Sequence, residues 1–361
     1  PPLDDAQVTF RFARGSATVS VLARRGARPF RLGDARELAE GGGVAATVYR
    51  EGKLSTSELP VGLLLRTTAA PLLLTPECRV PAHGIEVPEG DYLLVVQCAG
   101  HELTRHRFHF SGLHPTELQI TPWPVGTTPP GFVRLGDHDL AAQEHEVTAG
   151  DYLVFLNDPS TLAEIDASDR PKRFPRNVDN ALSGGFWERR GKNYHLPAGW
   201  HPDMPVVGVS WRDASAYAAW YTARRHGSGD GWRYRLPRSD EWMYMLSQHD
   251  AGRRFAYGDT FRPLWSKSCN ARPWACVERV MQFPIDESPL GIYDLTGGAA
   301  EWLETVYNPL VKQRWIGEGS WAQAQSFRFG NTTGAGEDAV METFGFRLMA
   351  VREPRPPARG K

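Results

Sequence analysis

Thiols, imidazoles and paired carboxylates are the groups through which this chain could do chemistry, and few stand at a useful spacing. The four cysteines are Cys78, Cys98, Cys269 and Cys276. None has the CxxC gap of a zinc site or redox pair, and four in 361 residues do not make a disulfide scaffold. They read as small buried apolar residues, with a Cys269–Cys276 disulfide left open. His101, Glu102 and His106 resemble the start of a zinc-protease helix, which needs its second histidine one turn on, four residues after the first. Here the second comes one residue later, in a stretch that reads as strand. Hydrogen-bonded or exposed histidines are therefore expected. The chain contains neither a glycine-rich phosphate loop ending in Lys-Ser/Thr nor a Gly-x-Ser-x-Gly nucleophile elbow. The acidic pairs Asp286/Glu287 and Glu337/Asp338 could hold a divalent cation with loop carbonyls, but solvated turns are the expected reading. Residue chemistry alone assembles no catalytic set.

Composition narrows the partners. Lys+Arg total 41 against 42 Asp+Glu, so no global excess of positive charge is available for phosphates, and nucleic-acid binding is not expected. The greasiest stretch, Val61 to Leu74, is broken by Arg66, Thr67 and Thr68, which argues against a membrane span. The bases are almost all Arg, with six Lys, a bias expected of a GC-rich genome or, less strongly, a hot habitat. The chain opens on Pro1-Pro2, so its compartment cannot be read from this end.

The elements that must position any site fall into two grammars. Short β-type runs (Val8–Phe12, Thr18–Ala23, Ala46–Tyr49, Gly62–Thr67, Tyr92–Gln97, His106–Phe110 and Glu117–Ile120) alternate with Gly-containing turns. They predict an antiparallel, Ig-like β-sandwich over residues 1–122. A Pro/Gly-rich linker follows at 123–131, then a second domain over 132–351 and a polar tail, 352–361. In the second domain Thr148 and Ser210 open helices with a carboxylate three residues on, and Ser239 opens a third. Their apolar faces are Tyr152, Phe155 and Leu156; Ala214, Tyr217, Ala218 and Tyr221; and Trp242, Met245 and Leu246. The rest is rich in Gly and Trp with short β runs. The fold class is α+β.

Five blocks in the second domain are more specific: Pro205–Trp220, Tyr234–Leu246 with Phe255–Phe261, Ser288–Trp302, Gly317–Trp321 and Phe344–Leu348. The series resembles the formylglycine-generating-enzyme (sulfatase-modifying factor) superfamily, over roughly Pro130 to Val351. The resemblance implies a C-type-lectin-like fold whose scaffold includes Trp211, Trp220, Trp242, Tyr293, Trp302, Trp321, Phe346 and Arg347. In the oxidising enzymes of that superfamily two cysteines after the Gly-Ser-aromatic block hold copper. Carried onto this chain, those positions are Gln323 and Arg328, neither of which can be a thiolate for soft Cu(I). The iron branch needs clustered histidines, and none follows His249. The implied protein is not an enzyme and needs no cofactor, a structural calcium being the one ion the resemblance allows.

What remains is a scaffold with a rebuilt face. Tyr307, Gln313, Arg314, Trp315, Gln323, Gln325, Ser326, Phe327, Arg328 and Asn331 mix aromatic and Arg anchors with adaptable polar groups, as binding surfaces do. This placement resembles the variable proteins of diversity-generating retroelements, with 297–348 as the variable region and a protein or cell-surface ligand as partner. The block usually written Gly-Asn-Val-Trp-Glu-Trp is here Gly297-Gly298-Ala299-Ala300-Glu301-Trp302. The alternative resemblance is to the sulfatase-modifying-factor-like part of bacterial Ser/Thr kinases, with a kinase domain encoded upstream. An active copper-dependent oxidase is the least favoured reading.

Overall fold

The β-branched and aromatic runs of the first third form strands: β1 (Asp5–Phe12), β2 (Thr18–Arg24), β3 (Val44–Glu51), β4 (Pro71–Leu74), β5 (Gly90–Cys98), β6 (Thr104–Phe110) and β7 (Thr116–Ile120). In the computed structural model, the backbone of these seven strands is described. Side chains are described for 102, 123–135, 139–169, 172–176, 187–225, 231–248, 254–256, 264–269, 277–283, 286–317, 319–323 and 333–352. The chain divides into two units, Pro1–Pro130 with Gly136–His138, and Gly131–Leu135 with Asp139–Lys361.

Among the described residues the first unit holds two sheets, of order β2-β1-β7 and β4-β3-β5-β6. One pairing departs from the all-antiparallel expectation. β1 and β7 run parallel, Val8 opposite Thr116, because they are joined by a long excursion through other strands rather than by a hairpin. The Gly62–Thr67 run lies outside the described residues, and Pro71–Leu74 supplies a strand beside β3 instead. His106 sits on β6, paired with Leu94, so no helix brings it over His101. The segment read as a linker is pinned: Thr128 N–H donates to the Glu102 carboxylate at 2.9 Å.

Among the described residues the second unit holds four α-helices and three sheets. The helices are α1 (Ala149–Leu156), α2 (Pro159–Asp166), α3 (Trp211–Arg225) and α4 (Ser239–Ser247). One sheet has the order β12-β17-β9-β8, from Trp232–Arg235, Met349–Arg352, Leu140–Gln143 and Phe132–Arg134. Another has the order β15-β14-β13-β16, from Thr333–Gly336, Gln313–Gly317, Ala300–Asn308 and Phe344–Gly345. β10 (Glu188–Arg190) and β11 (Asn193–His195) form a hairpin. Mixed sheets with few helices make this an α+β arrangement.

Local chemistry explains the helix starts. Thr148 Oγ1 accepts from Asp151 N–H at 3.1 Å, and Ser210 Oγ from Asp213 N–H at 3.2 Å. α4 departs from expectation. Ser239 is already helical, and the Glu241 carboxylate reaches back to Arg238 N–H at 2.7 Å, so the acid rather than the hydroxyl closes the end. α2 escaped the sequence reading because it buries only Thr161. Asp158 capping Ser160 N–H and Pro159 in the first turn fix its start instead.

The helices bury the expected faces in two clusters. Tyr152 of α1 stacks on Tyr217 of α3 with centroids 5.5 Å apart, and Phe346 meets both rings edge-on. Trp302 lies in the same cluster, its Nε1–H donating to Val209 O at 2.8 Å. Trp242, Met245 and Leu246 of α4 pack with Ile292, Leu295 and Leu303 in the second. Trp211 and Trp220 are only partly buried, packed at the rim of the first cluster. Among the described residues no helix is long and apolar enough to cross a membrane.

Candidate functional site

The face read from the sequence centres on the β13–β14 hairpin. Its strands pair Trp302 with Ile316 and Asn308 with Gln313, with register shifts between. A single 3-10 turn, Pro309–Val311, joins them, and Asn308 Oδ1 caps it by accepting from Leu310 N–H at 3.0 Å. β13 is buried on both faces from Ala300 to Leu303, Trp302 in one cluster and Leu303 in the other, and this cover ends beyond Thr305. Val306 and Tyr307 are each 45% exposed, Val311 58% and Leu310 91%. Tyr307 and Trp315 meet edge to face at 5.0 Å and 85°, and the Trp315 Nε1–H donates to Val306 O at 3.2 Å. Trp315 is thus oriented by the backbone, half against the core and half open. A Cβ at Gly334, on β15 opposite Trp315, would run into the Tyr307 ring, so the glycine is what leaves room for the ring across β14.

Two residues of the face differ in kind from the expectation. Arg314 is committed to the scaffold. It lies over the Trp211 ring at 3.9 Å, pairs with Glu337 at 2.9 Å and donates to Glu304 O at 2.7 Å. Gln313, at the start of β14, is partly exposed opposite Gly336. Gln325, Ser326, Phe327, Arg328 and Asn331 lie outside the described residues.

Gln323 sits on a second loop. Gly319 has φ 134° and a Cβ there would stand 2.8 Å from Thr296 O, a close approach that glycine permits. Trp321 N–H then donates to Gly298 O at 2.8 Å, docking Ser320 and Trp321 on the floor beneath. The Gln323 side-chain oxygen accepts from Ser320 N–H at 3.1 Å. Its main-chain oxygen accepts from Cys269 N–H at 3.2 Å. The Gln323 amide is thus partly exposed and held by its own loop. Cys269 is exposed, and Cys78, Cys98 and Cys276 lie outside the described residues.

Under both loops runs a buried polar floor that sequence reasoning missed. The Arg347 guanidinium bonds the Glu301 carboxylate through Nη2 at 2.6 Å and Nε at 2.8 and 2.9 Å. Trp242 Nε1–H adds a bond to Glu301 at 2.9 Å, and Arg347 also donates to Tyr293 O at 2.9 Å. Glu146, Asp286 and Asp294 are buried in the same region. Asp286 was expected in a solvated turn; instead its carboxylate accepts from Thr296 N–H at 3.3 Å inside the fold, where burial pushes it well above the usual range. Burial likewise raises Asp294 to about 6 and Glu146 well above its ordinary value. The one sequence signal for this floor was Glu301 and Arg347 inside two of the ordered blocks.

The second acidic pair is also spoken for: Glu337 meets Arg212 at 2.7 Å as well as Arg314, and Asp338 meets Arg212 at 3.0 Å. Among the described residues no group of three or more His, Cys, Asp or Glu side chains is placed to hold a metal ion.

Residues 85–352 match the model of the sulfatase-modifying factor enzyme 1-like domain, a span that opens earlier than the blocks near Pro130. An inactive C-alpha-formylglycine-generating enzyme 2 from Mus musculus is 30% identical over 165 residues, covering 40% of this chain and 48% of that one. The serine/threonine-protein kinase pkn1 of Chlamydia pneumoniae is 33% identical over 170 residues, covering 47% of this chain and 23% of the kinase. The chain thus spans less than half the length of either. Among solved structures, Treponema denticola variable protein 1 superposes with a TM-score of 0.41 at 15% identity, covering 63% of this chain and 92% of that chain.

Proposed function

The chain belongs to the family of sulfatase-modifying factor enzyme 1-like domains, and on that premise we propose that it binds a ligand and does not oxidise one. The observation that carries this reading is the amide at Gln323. Its side chain bonds its own loop through Ser320 N–H, and an amide cannot supply the thiolate that soft Cu(I) needs. Arg328 at the second position, read from sequence, is a permanent cation and equally unfit. An inactive relative among the matched proteins agrees with a family member that has lost oxidation.

On this reading the domain is a C-type-lectin-like scaffold, joined to an N-terminal β-sandwich, that displays a protein- or surface-binding face as the variable proteins of diversity-generating retroelements do. Tyr307 and Trp315 are its rigid aromatic anchors, with Gln313 and Gln323 as adaptable polar contacts. Burial confines any variation within 297–348. Ala299 to Leu303 and Phe344 to Leu348 are core, so diversified positions belong to the hairpin and the loop after Trp321. The face calls for no cofactor.

The surrounding genome tests the reading. A reverse transcriptase beside the gene, with a near-copy of its 3′ coding bases differing at adenines, is expected; the absence of both overturns it. The second reading, a recognition module of a Ser/Thr kinase, is favoured by the match to the chlamydial kinase, and a kinase domain in the same reading frame would decide for it.

A further inference from the structure

The tip of the β13–β14 hairpin carries residues that a simple turn does not call for. Hairpin connections draw on Gly, Asn and Asp, which supply left-handed backbone or local hydrogen bonds. Here the connection runs Pro309-Leu310-Val311, three apolar residues in a row, all exposed. Leu310 is the most open large apolar side chain of the hairpin, and Val311 stands beside it. The core does not use them, since β13 has left it by Val306. Consecutive exposed apolar residues cost solubility unless they serve a contact.

The tip is also stiff. Pro309 fixes one φ, the Asn308 carbonyl oxygen caps the turn through Leu310 N–H at 3.0 Å, and Lys312 closes it in the left-handed region at φ 51°. Little backbone freedom is left to lose on contact. Behind the two aliphatic side chains come Tyr307 and Trp315, edge to face, with the Trp315 Nε1–H already bonded to Val306 O. The acids that flank the tip are already paired, Glu337 with Arg212 and Arg314, and Asp338 with Arg212. Lys312 is exposed at the tip and has no carboxylate partner among the described residues.

This order of side chains discriminates between partners. Protein pockets take Trp, Tyr and Arg as their energetic anchors, with Leu and Val under-represented. At a bilayer the aliphatic groups go deepest, Tyr and Trp sit at the headgroup level, and a Lys stem reaches back to the phosphates. Resting on the reading of this hairpin as a binding face, we propose that its tip docks on an anionic lipid surface. Leu310 and Val311 enter the boundary between headgroups and acyl chains, Tyr307 and Trp315 stay in the interface, and Lys312 meets lipid phosphate. Two aliphatic side chains and one cation make this a weak, reversible contact rather than an anchor.

Flotation of the full chain with vesicles of phosphatidylcholine, with and without phosphatidylserine, tests it. The native chain should rise with the phosphatidylserine vesicles and be released in part as salt is raised, because the Lys312 contribution is screened. Leu310→Asn with Val311→Asn should lower the partition coefficient about tenfold or more, as expected for withdrawing two aliphatic side chains from lipid. The melting temperature should stay where it was, since both side chains already face solvent. Lys312→Asn, which tolerates the left-handed backbone, should lower partition onto anionic vesicles about fivefold and leave phosphatidylcholine unaffected. A native chain that floats with neither vesicle overturns the proposal whatever the variants do. So does a folded tip variant that floats as well as the native chain. Equal partition onto the two vesicles overturns the part given to Lys312. A chain indifferent to vesicles, whose binding to a protein is lost in the tip variant, assigns Leu310 and Val311 to a protein pocket and overturns the lipid assignment. The genomic neighbourhood decides the wider binding reading without any lipid, so the two failures are distinguishable.

Discussion

Glu301→Gln asks whether the floor beneath the face is held by charge. In the native protein the Arg347 side chain is 0% exposed and Glu301 1%, so the pair has almost no water to fall back on. The amide is nearly isosteric and keeps one oxygen for Arg347 or Trp242. It also turns an NH2 group toward a guanidinium that only donates. Breaking a buried pair by removing one partner costs roughly 3–5 kcal/mol, because the other charge is left uncompensated. Asp294 is within Coulombic range of Arg347 and would take up part of that charge, which favours the lower end, about 3 kcal/mol. For a unit of this size that is a fall of roughly 6–12 °C in melting temperature. Thermal unfolding by circular dichroism, checked against the urea midpoint, measures it. The double replacement Glu301→Leu with Arg347→Met removes both charges and should recover most of the loss, since buried pairs are often replaceable by well-packed apolar residues. A single variant that loses under ~1 kcal/mol, or a double variant as weak as the single, would refute the view that an uncompensated charge sets the cost.

Trp302→Ala removes a fully buried ring that meets Phe344 at 5.0 Å and orphans the Val209 carbonyl; a loss of about 3–5 kcal/mol in denaturant unfolding is expected. Tyr307→Ala, by contrast, trims a half-exposed ring and should move stability by under ~1 kcal/mol while weakening binding to the true target by about 2 kcal/mol or more, read by titration calorimetry once that target is in hand. Gly208→Ala meets both a left-handed φ of 77° and the Arg176 carbonyl at 2.6 Å, so a loss on the order of 2 kcal/mol or more is expected in the same unfolding assay. Asp294 makes the folded chain keep a proton that the unfolded chain releases, since burial raises it from 3.8 to about 6. Its contribution to stability should therefore fall with rising pH across that window, and Asp294→Asn should make the slope of the melting curves shallower, the raised Glu146 and Asp286 carboxyls keeping the rest. A peptide-cysteine oxidation assay with added copper should show no turnover above background, and turnover that follows Gln323 and Arg328 substitutions would overturn the binding reading.

Residue patterns alone determined the strand-rich first third, three of the four helices and the identity of the second domain. Thr148 with Asp151 and Ser210 with Asp213 are local grammar, readable because a cap and its partner lie within one turn. The five blocks were legible through their resemblance to a family, which contiguous runs in a fixed order carry without any tertiary contact. α2 was not, since a helix that buries little beyond Thr161 leaves almost no apolar period to read. The parallel pairing of β1 with β7 joins residues about a hundred positions apart, which no local pattern encodes.

Tertiary structure alone decided which polar residues are surface and which are foundation. Arg314 and Trp315 are neighbours in a stretch that reads as uniformly suited to binding. Folding sends one guanidinium onto Trp211 and Glu337 and leaves the other ring half open beside Tyr307. Asp286 reads as a solvated turn and is buried, and Glu146 carries no signal until Gly298, far along the chain, comes to rest against its carboxylate. The physical reason is common to all three. A side chain's type fixes what it can bond, but its desolvation and its partners are set by segments distant in sequence, and these determine whether a charge is displayed, paired or neutralised.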